Sequence, residues 1–275
     1  MTVNVKEVQL NDGTSIPQLG LGVFQMSEEE AEAAVVAAHG AGYRLIDTAA
    51  GYENEGAVGR AIARYDRSDF YVTTKLKNDD HGYDAALSAF DTSVAKLGMD
   101  TLDLYLIHWP SPARDRYVDT WRALIRLRDE GRVTSIGVSN FEPHHLNRII
   151  EATGVVPVIN QIELHPLLQQ KANREFHAGL GIVTEAWSPL GSGQGGILAH
   201  RTLVGIARDH GATPAQVALA WHLALGNVVI PKTVTPARVI ENIASVQLQL
   251  SSSELEALAS MDDGTRFGPH PDEFN

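Results

Sequence analysis

FYVTTK at residues 70–75 is an apolar, β-branched run, and it is followed by the helical pattern YDAALSAFDTSVAKL (83–97) and a second apolar run, LDLYLIH (102–108). Runs of this kind are typical of strands that are buried on both faces of a parallel sheet. A helix between two such runs is the usual crossover that joins parallel neighbours. The stretch therefore predicts a parallel β–α–β unit.

The same alternation extends along the chain in both directions. Strands are predicted at LGLG (19–22), YRLID (43–47), FYVTTK, LDLYLIH, VTSIGVS (133–139), VVPVINQ (155–161), GIVTEA (181–186) and NVVIPK (227–232). Helices are predicted at 28–41, 55–64, 83–97, 117–130, 143–151, 170–177 and about 202–210, with further helices at TPAQVALAWHL (213–223) and after Lys232. Eight strands without a linker between them favour one α/β domain over residues 1–275, a closed (β/α)₈ TIM barrel.

Two further features bear on this architecture. VKEVQL-NDG-TSI (5–16) predicts a β-hairpin, because a turn ending in glycine suits a tight connection, and we expect it to cap the floor of the barrel. An open doubly wound sheet is the alternative. It is disfavoured because Gly20 and Gly22 continue into VFQMSEEE without the third glycine of a dinucleotide-binding G-x-G-x-x-G turn.

Composition excludes several classes of protein. A formal net charge of −12 disfavours a nucleic-acid partner, whose phosphates attract basic proteins. The chain has no cysteine and therefore no disulfide or thiolate chemistry, which is compatible with a cytoplasmic location. It has no run of about 18 apolar residues and no apolar leader, so neither membrane insertion nor secretion is indicated.

Polar residues stand at the ends of three of the predicted strands and just beyond one of them: Asp47, Tyr52, Lys75 and His108. The carboxyl ends of barrel strands meet at one mouth, so these side chains are expected to converge. Alone, each has an ordinary explanation, such as a helix cap for Asp47, a packed surface tyrosine or a core histidine. Together they suit protonation of a carbonyl oxygen while hydride arrives from elsewhere, with Lys75 lowering the pKa of Tyr52 and a neutral His108 donating a hydrogen bond.

The chain resembles the aldo-keto reductases, most of all the bacterial 2,5-diketo-D-gluconate reductases. The matching stretches occur in order along nearly the whole chain: GYRLIDTAAGYENE (42–55), VTTKL (72–76), DLYLIHWP (103–110), IGVSNF (136–141), NQIELHP (160–166), TPAQVALAWHL, IPKTVTPARVIEN (230–242) and the tail HPDE (270–273). The resemblance implies Tyr52 as general acid, Asp47 and Lys75 as its tuning pair, and His108 as the residue that orients the carbonyl. It implies no metal.

The resemblance also implies a nicotinamide cofactor, NADPH/NADP+. The residues expected to contact it are Ser139, Asn140, Gln161, Trp187, Ser188, Leu190, Gly191, Lys232, Thr233, Arg238, Glu241 and Asn242. Ser139, Asn140 and Gln161 would hold the carboxamide, and Trp187 would stack on the ring where many members have tyrosine. The glycine-rich run 191–196 suits a pyrophosphate, and Lys232 with Arg238 suits the 2′-phosphate, so NADPH is expected in preference to NADH.

The substrate is expected to be a small, partly apolar carbonyl compound, with keto-sugars, keto acids and diketones all open. The expected pocket residues are Phe24, Lys77, Trp109, His108, Phe267 and His270. Lys77 stands where the resembling enzymes usually carry tryptophan, and either attracts a substrate carboxylate or points into solvent. A monomer is expected. Two alternatives stay open at this point, a catalytically idle nicotinamide-binding regulator and a cofactor-free Schiff-base aldolase using Lys75.

Overall fold

The computed structural model describes residues 4–275; residues 1–3, which the single-domain prediction includes, lie outside the described residues. A two-stranded antiparallel hairpin, β1 (Glu7–Gln9) and β2 (Ser15–Pro17), precedes eight parallel strands. These are β3 (Gly20–Gly22), β4 (Leu45–Asp47), β5 (Tyr71–Leu76), β6 (Leu102–Ile107), β7 (Val133–Ser139), β8 (Ile159–Glu163), β9 (Val183–Trp187) and β10 (Val228–Val229). The predicted TIM barrel is confirmed.

The strands pair in chain order from β3 to β10, and parallel bridges bring the two ends of this sheet together. Leu19 pairs with Val229, and Gly22 pairs with Lys232. The backbone N–H of Val229 donates to the carbonyl of Gln18 at 3.0 Å, which helps close the ring. The open doubly wound alternative is therefore wrong, because such a sheet keeps two free edges.

Ten helices lie within residues 4–275. They are α1 (Glu28–Ala41), α2 (Glu55–Ile62), α3 (Tyr83–Leu97), α4 (Tyr117–Asp129), α5 (Pro143–Thr153), α6 (Lys171–Gly179), α7 (Arg201–His210), α8 (Pro214–Ala224), α9 (Pro236–Ile243) and α10 (Ser252–Ala259). The predicted helix ends differ from these by up to two residues, as fraying ends commonly do. Helix α10 was not predicted, although Ser251 and Glu254 form a capping box at its start.

Side chains that point into the barrel separate into two layers. Toward the strand starts, most inward residues are apolar and form one cluster, which includes Leu45, Leu104, Leu106, Ile159 and Val228; Ser135 on β7 is a polar exception. Two or more residues further along the same strands, the inward positions carry polar side chains instead. The alternation along each strand thus places an apolar floor below a polar mouth.

The hairpin closes the floor, as predicted. Leu10 and Ile16 belong to the same apolar cluster as the lower strand residues. Asp12 accepts a hydrogen bond from Ser135 at the start of β7 at 2.6 Å, and Asn11 donates to the carbonyl of Pro157 just before β8 at 2.9 Å. These contacts fix the hairpin at the amino-terminal end of the barrel, so the opposite end is left for a site. Within residues 4–275, no helix combines the length and the apolar character that crossing a membrane requires.

Candidate active site

The mouth of the barrel contains a buried ion pair next to a tyrosine. Lys75 lies on β5 with its side chain fully buried, and its Nζ donates to Oδ1 of Asp47 on β4 at 2.6 Å. The same ammonium donates to the carbonyl of Thr48 at 3.0 Å and to the hydroxyl of Tyr52 at 3.4 Å. All three donor positions of Lys75 are therefore used, and one points at the phenol oxygen.

The ion pair keeps Lys75 charged despite its burial. Burial alone would lower the pKa of Lys75, but Asp47, together with Tyr52 and Glu185, raises it, so that the pKa lies above its ordinary value. Burial likewise raises the pKa of Asp47, with Lys75 and Gln161 opposing the rise. Removing either partner would leave an uncompensated charge in the barrel interior.

Tyr52 corrects one expectation from the sequence. The predicted effect of Lys75 is present, because its charge lowers the pKa of the phenol, but desolvation by the surrounding protein is larger and raises it. The negative charge of Asp47 adds to the rise. The net pKa of Tyr52 is thus above its ordinary value, and the prediction of a lowered value was wrong because it left desolvation out. Tyr52 is a protonated phenol at neutral pH.

His108 follows the end of β6 and meets Tyr52 edge to face, with 5.6 Å between the ring centroids. Desolvation, and then the charge of Lys75, lower the pKa of His108 to about 3. A neutral imidazole at physiological pH carries one N–H donor, as the sequence predicted. Phenol and imidazole therefore offer two donors to one oxygen atom placed between them.

Gln161 on β8 connects this group to a second buried acid. Its amide Nε2 donates to Oδ2 of Asp47 and to Oε2 of Glu185 on β9, both at 2.9 Å. Oδ2 of Asp47 and Oε2 of Glu185 fix the orientation of the amide, because only its nitrogen can donate to them. The amide oxygen of Gln161, for which the described residues supply no donor, is left as an acceptor on the other side.

Glu185 was missed in the sequence. It is fully buried, and burial followed by the charge of Asp47 raises its pKa to about 8. The sequence does contain a signal. In VTEAW, Glu185 lies two residues from both Val183 and Trp187, so all three side chains share one face of the strand, the face that points into the barrel.

Ser139 ends β7 and Asn140 follows it, both beside Gln161. The hydroxyl of Ser139 donates to the carbonyl of Gln161 at 2.8 Å, and Nδ2 of Asn140 donates to the carbonyl of His108 at 3.0 Å. Trp187 at the end of β9 donates from Nε1 to Oδ1 of Asn140 at 2.8 Å. Asn140 has a left-handed backbone, φ 62°, which few side chains other than asparagine tolerate well. The sequence-predicted carboxamide residues are thus brought together at one side of the mouth.

The glycine-rich run follows directly. Ser188 is also left-handed, φ 50°, and Leu190 leads into a short 3₁₀ turn at Gly191–Gly193. A Cβ added at Gly191 would overlap Ile197, and one added at Gly195 would press on Phe267. The N–H groups of Gly191 and Gln194 donate within this turn, to the carbonyls of Ser188 and Gly191 at 2.8 Å each. An anion at this run would therefore be held by its other N–H groups.

A pair of free cations lies at the next corner of the barrel. Lys232 and Arg238 are both exposed, and neither forms an ion pair within residues 4–275. Arg238 lies in the first turn of α9, whose start has no side-chain cap, and Thr233 is nearly buried beside it. Asn242 is also buried, while Glu241 accepts a hydrogen bond from Thr213 at 2.7 Å and is drawn toward α8. Two cations at an uncapped helix start suit a phosphate monoester.

Comparison with known proteins decides the family. Residues 17–263 match the model of the Aldo/keto reductase family. An aldo-keto reductase of Mycobacterium sp. (strain KMS) is 57% identical over 270 residues, which cover 98% of this chain and 97% of that protein. The chain belongs to the aldo-keto reductase family. The resemblance recognised in the sequence is confirmed.

Two further similar proteins are informative. The methylglyoxal reductase DkgA of Escherichia coli is 49% identical over 273 residues, covering 98% of each chain. The solved structure of a Gox0644 variant in complex with NADPH superimposes with a TM-score of 0.95 at 46% identity and covers 99% of each chain. This aldo-keto reductase therefore shares its complete barrel with a protein whose structure holds that cofactor.

The rim of this aldo-keto reductase is aromatic. Phe24 is half exposed with its ring centroid 4.9 Å from that of Tyr52, and Trp109 lies 6.4 Å from Trp187, centroid to centroid. Phe274, which the sequence analysis did not single out, contacts Trp109 with 4.7 Å between centroids. Lys77 is exposed at the rim, close to Gly51. The open side of the mouth thus combines apolar walls with one lysine.

The carboxy-terminal tail is held at this rim by Glu163, a second acid that the sequence analysis missed. Glu163 on β8 is fully buried and accepts backbone hydrogen bonds from Phe267 at 2.8 Å and Gly268 at 3.0 Å. A Cβ on Gly268 would overlap Trp187, so only glycine lets the tail pass this close. Phe267 stacks on His165 with 4.8 Å between centroids, whereas His270 is exposed and lies beside Asp272. Of the two predicted tail residues, Phe267 is therefore the one packed at the mouth.

Proposed function

We propose that Tyr52 is the general acid of a reductase that acts on small carbonyl compounds, with Lys75 and Asp47 supporting it and His108 orienting the substrate. One observation carries the proposal: the ammonium of Lys75 lies 3.4 Å from the phenol oxygen while it is held by Asp47 at 2.6 Å. That arrangement places a fixed positive charge where a tyrosinate forms once its proton has left.

The protonation states support the same division of roles. Tyr52, whose pKa is raised by desolvation, keeps its proton until a carbonyl oxygen accepts it. His108, neutral because desolvation lowers its pKa to about 3, donates a hydrogen bond to that oxygen and stabilises the negative charge that develops on it. Lys75 then stabilises the phenolate, which without it would be costly in this desolvated position.

The chain is an NADPH-dependent oxidoreductase of the carbonyl-reducing type, so the predicted enzyme class and cofactor are confirmed. NADPH, when bound, supplies the hydride. The donor set fits it: Gln161 presents a fixed amide oxygen, and Lys232 and Arg238 are exposed cations without a counter-charge within residues 4–275. We assign the carboxamide to Ser139, Asn140 and Gln161, and the 2′-phosphate to Lys232, Thr233 and Arg238.

The 2′-phosphate assignment is tested with Arg238→Ala. Loss of one charge-assisted contact is expected to raise the Kd for NADPH about tenfold, since such contacts contribute roughly 1.5 kcal/mol or more. The Kd for NADH, which lacks that phosphate, should not change. Arg208→Ala serves as the control, because Arg208 is also exposed but lies on α7, paired with Asp209. Unchanged NADPH binding in Arg238→Ala would contradict the assignment.

The substrate class is inferred from the rim and from the relatives. Phe24, Trp109 and Trp187 offer apolar walls that suit a small compound, and a relative of 49% identity is named a methylglyoxal reductase. A short dicarbonyl of that kind presents a reactive carbonyl and little else to recognise. Keto-sugars, keto acids and other diketones have the same reacting group and belong to the same proposal. We further propose a cytoplasmic monomer with neither nucleic acid nor membrane as a partner.

The two alternatives are not supported. An aldolase that forms a Schiff base needs a lysine in its neutral, nucleophilic form. Lys75 is fully buried, is paired with Asp47 and has a raised pKa, so it is an ammonium. An idle regulatory barrel has no need for a phenol, an imidazole and an ammonium at one mouth.

The decisive experiment follows NADPH oxidation across a panel of carbonyl compounds that includes methylglyoxal, with Tyr52→Phe as the test variant. Removing the phenol proton is expected to lower kcat by roughly 10²- to 10⁴-fold, the usual contribution of a general acid, while the Kd for NADPH stays the same. Retention of kcat in Tyr52→Phe would overturn the assignment of the acid. Absence of turnover with every carbonyl tested would overturn the substrate class.

A further inference from the structure

Glu185 on β9 is a buried acid that the proposed chemistry does not use. It is fully buried, and its side chain has one hydrogen-bond partner in the described part of the chain, the amide of Gln161. Its other oxygen, Oε1, is enclosed by protein and has no partner within residues 4–275. Because an unpaired buried polar atom costs free energy, an acid at this position calls for a reason other than stability.

The surroundings of Glu185 would accept an apolar side chain. Val183 and Trp187, its neighbours on the same face of β9, both pack against the apolar cluster of the floor. A leucine at position 185 would extend this face without burying a carboxyl group. The contact with Gln161 is therefore the feature that the acid provides and an apolar residue does not.

The amide of Gln161 is held from two directions. Glu185 is its register partner on the neighbouring strand, whereas Asp47 lies on β4, four strands away in the sheet order and so across the barrel. Each accepts from Nε2 of Gln161 at 2.9 Å. A single hydrogen bond would let the amide rotate about it, but two bonds from one NH₂ group fix the amide plane.

The fixed plane determines where the amide oxygen of Gln161 points. This oxygen has no donor within residues 4–275, and it is not enclosed by protein as Oε1 of Glu185 is, so it is open to the mouth. The neighbouring acceptors already have donors: Oδ1 of Asn140 accepts from Trp187 at 2.8 Å, and Oγ of Ser139 accepts from Asn140 at 3.0 Å. The oxygen of Gln161 is thus the acceptor that this side of the mouth offers to a ligand.

We propose that Glu185 is a positioning residue for cofactor binding, which acts through Gln161. It holds the amide plane so that the oxygen of Gln161 accepts a hydrogen bond from the NH₂ group of the nicotinamide carboxamide, and it thereby sets the orientation of the ring. This inference rests on the proposed contact between Gln161 and the carboxamide.

A neutral acid suits this role better than a second carboxylate. Burial, and then the charge of Asp47, raise the pKa of Glu185 to about 8. Because Oε2 receives the N–H of Gln161, the proton of the neutral acid lies on Oε1, and Oε2 stays an acceptor in either state. Glu185 therefore holds the amide at neutral pH without adding a negative charge beside Lys75. Asp47, in contrast, also pairs with Lys75, so only a change at Glu185 tests the amide alone.

Equilibrium binding of three ligands tests the inference without turnover. They are NADPH, its 3-acetylpyridine analogue, in which an acetyl group replaces the carboxamide and leaves no N–H to donate, and adenosine 2′,5′-bisphosphate, which lacks the nicotinamide half. The test variants are Glu185→Leu and Glu185→Met, two apolar residues of similar volume. Glu185→Gln is the matched conservative variant, because it keeps an acceptor for Gln161.

The ratio of the two cofactor Kd values is the readout. The wild type is expected to bind NADPH about fivefold more tightly than the acetylpyridine analogue, the contribution of one net hydrogen bond. In both apolar variants the released amide rotates and offers its N–H instead, so the ratio should fall to about one. Glu185→Gln should retain most of the ratio. A merely structural role would change both Kd values equally and leave the ratio as it is.

Adenosine 2′,5′-bisphosphate should bind all four proteins with the same Kd, which shows that they are folded. A fivefold ratio that persists in both apolar variants would overturn the positioning role, and so would its loss in Glu185→Gln, since that variant keeps the acceptor. A wild type that does not distinguish the two cofactors would overturn the contact between Gln161 and the carboxamide, and this inference with it. A failure of carbonyl reduction leaves these constants unchanged and is seen separately in the turnover assay.

Discussion

The floor and the mouth of the barrel are built from the same strands, but their inward side chains differ in polarity. On β6, Leu104 and Leu106 point into the floor, whereas His108, two residues further, reaches the mouth. On β8, Ile159 belongs to the floor and Gln161 to the mouth. The floor is largely apolar, while the mouth holds a buried ammonium, two buried carboxyl groups and a buried amide.

Because of this difference, the floor contributes mainly to stability and the mouth mainly to catalysis. Each buried leucine of the floor favours folding by roughly 1.5–3 kcal/mol relative to exposure. Buried charges in the mouth do the reverse, because desolvation can exceed the attraction within a buried ion pair. We expect substitutions in the floor to change stability with little effect on catalysis, and substitutions in the mouth to change catalysis whether or not stability suffers.

The largest effect is expected for Lys75→Met. It removes the charge beside Tyr52 and leaves Asp47 unpaired, so kcat should fall at least about 10²-fold, and the free energy of unfolding should fall by roughly 3–5 kcal/mol. The measurements are single-turnover NADPH oxidation and urea unfolding.

Asp47→Asn combined with Lys75→Met separates the two losses. The double variant no longer contains a lone buried charge and should recover most of the stability, but none of the activity. Recovery of activity along with stability would mean that Lys75 acts only as a structural residue, and the contrast between floor and mouth would fail.

Leu104→Ala is the corresponding change in the floor. Leu104 is fully buried, and truncation of such a side chain leaves a cavity that costs about 2–5 kcal/mol. The free energy of unfolding should fall by that amount, while kcat and KM of the folded enzyme stay as they are. A loss of kcat comparable to that of Lys75→Met would show that the two layers are not independent.

Sequence reasoning found the elements whose signals are local. Short apolar runs and the intervening helical patterns sufficed for the barrel, and polar residues at strand ends gave Asp47, Lys75 and His108. Glu185 and Glu163 were missed because an acid inside an apolar strand resembles an edge or surface position until the alternation is followed through the whole barrel. The net pKa of Tyr52 was wrong since it depends on desolvation, which only the packed mouth determines. The single-domain organisation and the roles of the site residues stay predictions.

The next prediction concerns how stability depends on pH, and it involves only the mouth of the barrel. The pKa of Glu185 is raised from 4.5 to about 8, so the folded protein keeps a proton that the unfolded chain has lost above pH 4.5. Unfolding therefore releases that proton between these values, and the free energy of unfolding should decline as pH rises from about 4.5 through about 8.

Glu185→Gln removes this titration while keeping an acceptor for Gln161. Between pH 5 and pH 8, its stability should decline less than that of the wild type, by roughly 3 kcal/mol. Glu151→Gln, at an exposed position on α5, is the control and should follow the wild type. Urea unfolding at several pH values gives the comparison, and parallel curves for wild type and Glu185→Gln would show that Glu185 is ionised when buried.

The smallest effect is expected at the outer edge of the mouth, where charges meet water. Lys77 is exposed, so its attraction for a substrate carboxylate is screened and contributes at most about 1 kcal/mol, or about fivefold in KM. Lys77→Ala should therefore raise the KM of a keto acid by that factor or less, leave a neutral ketone unchanged, and lose its effect at high salt. A salt-independent change, or one of equal size for both substrates, would mean that Lys77 acts by packing against Gly51 rather than by its charge. In that case the shape of Lys77 would matter at the exposed rim, and a lysine charge would matter only at the buried Lys75.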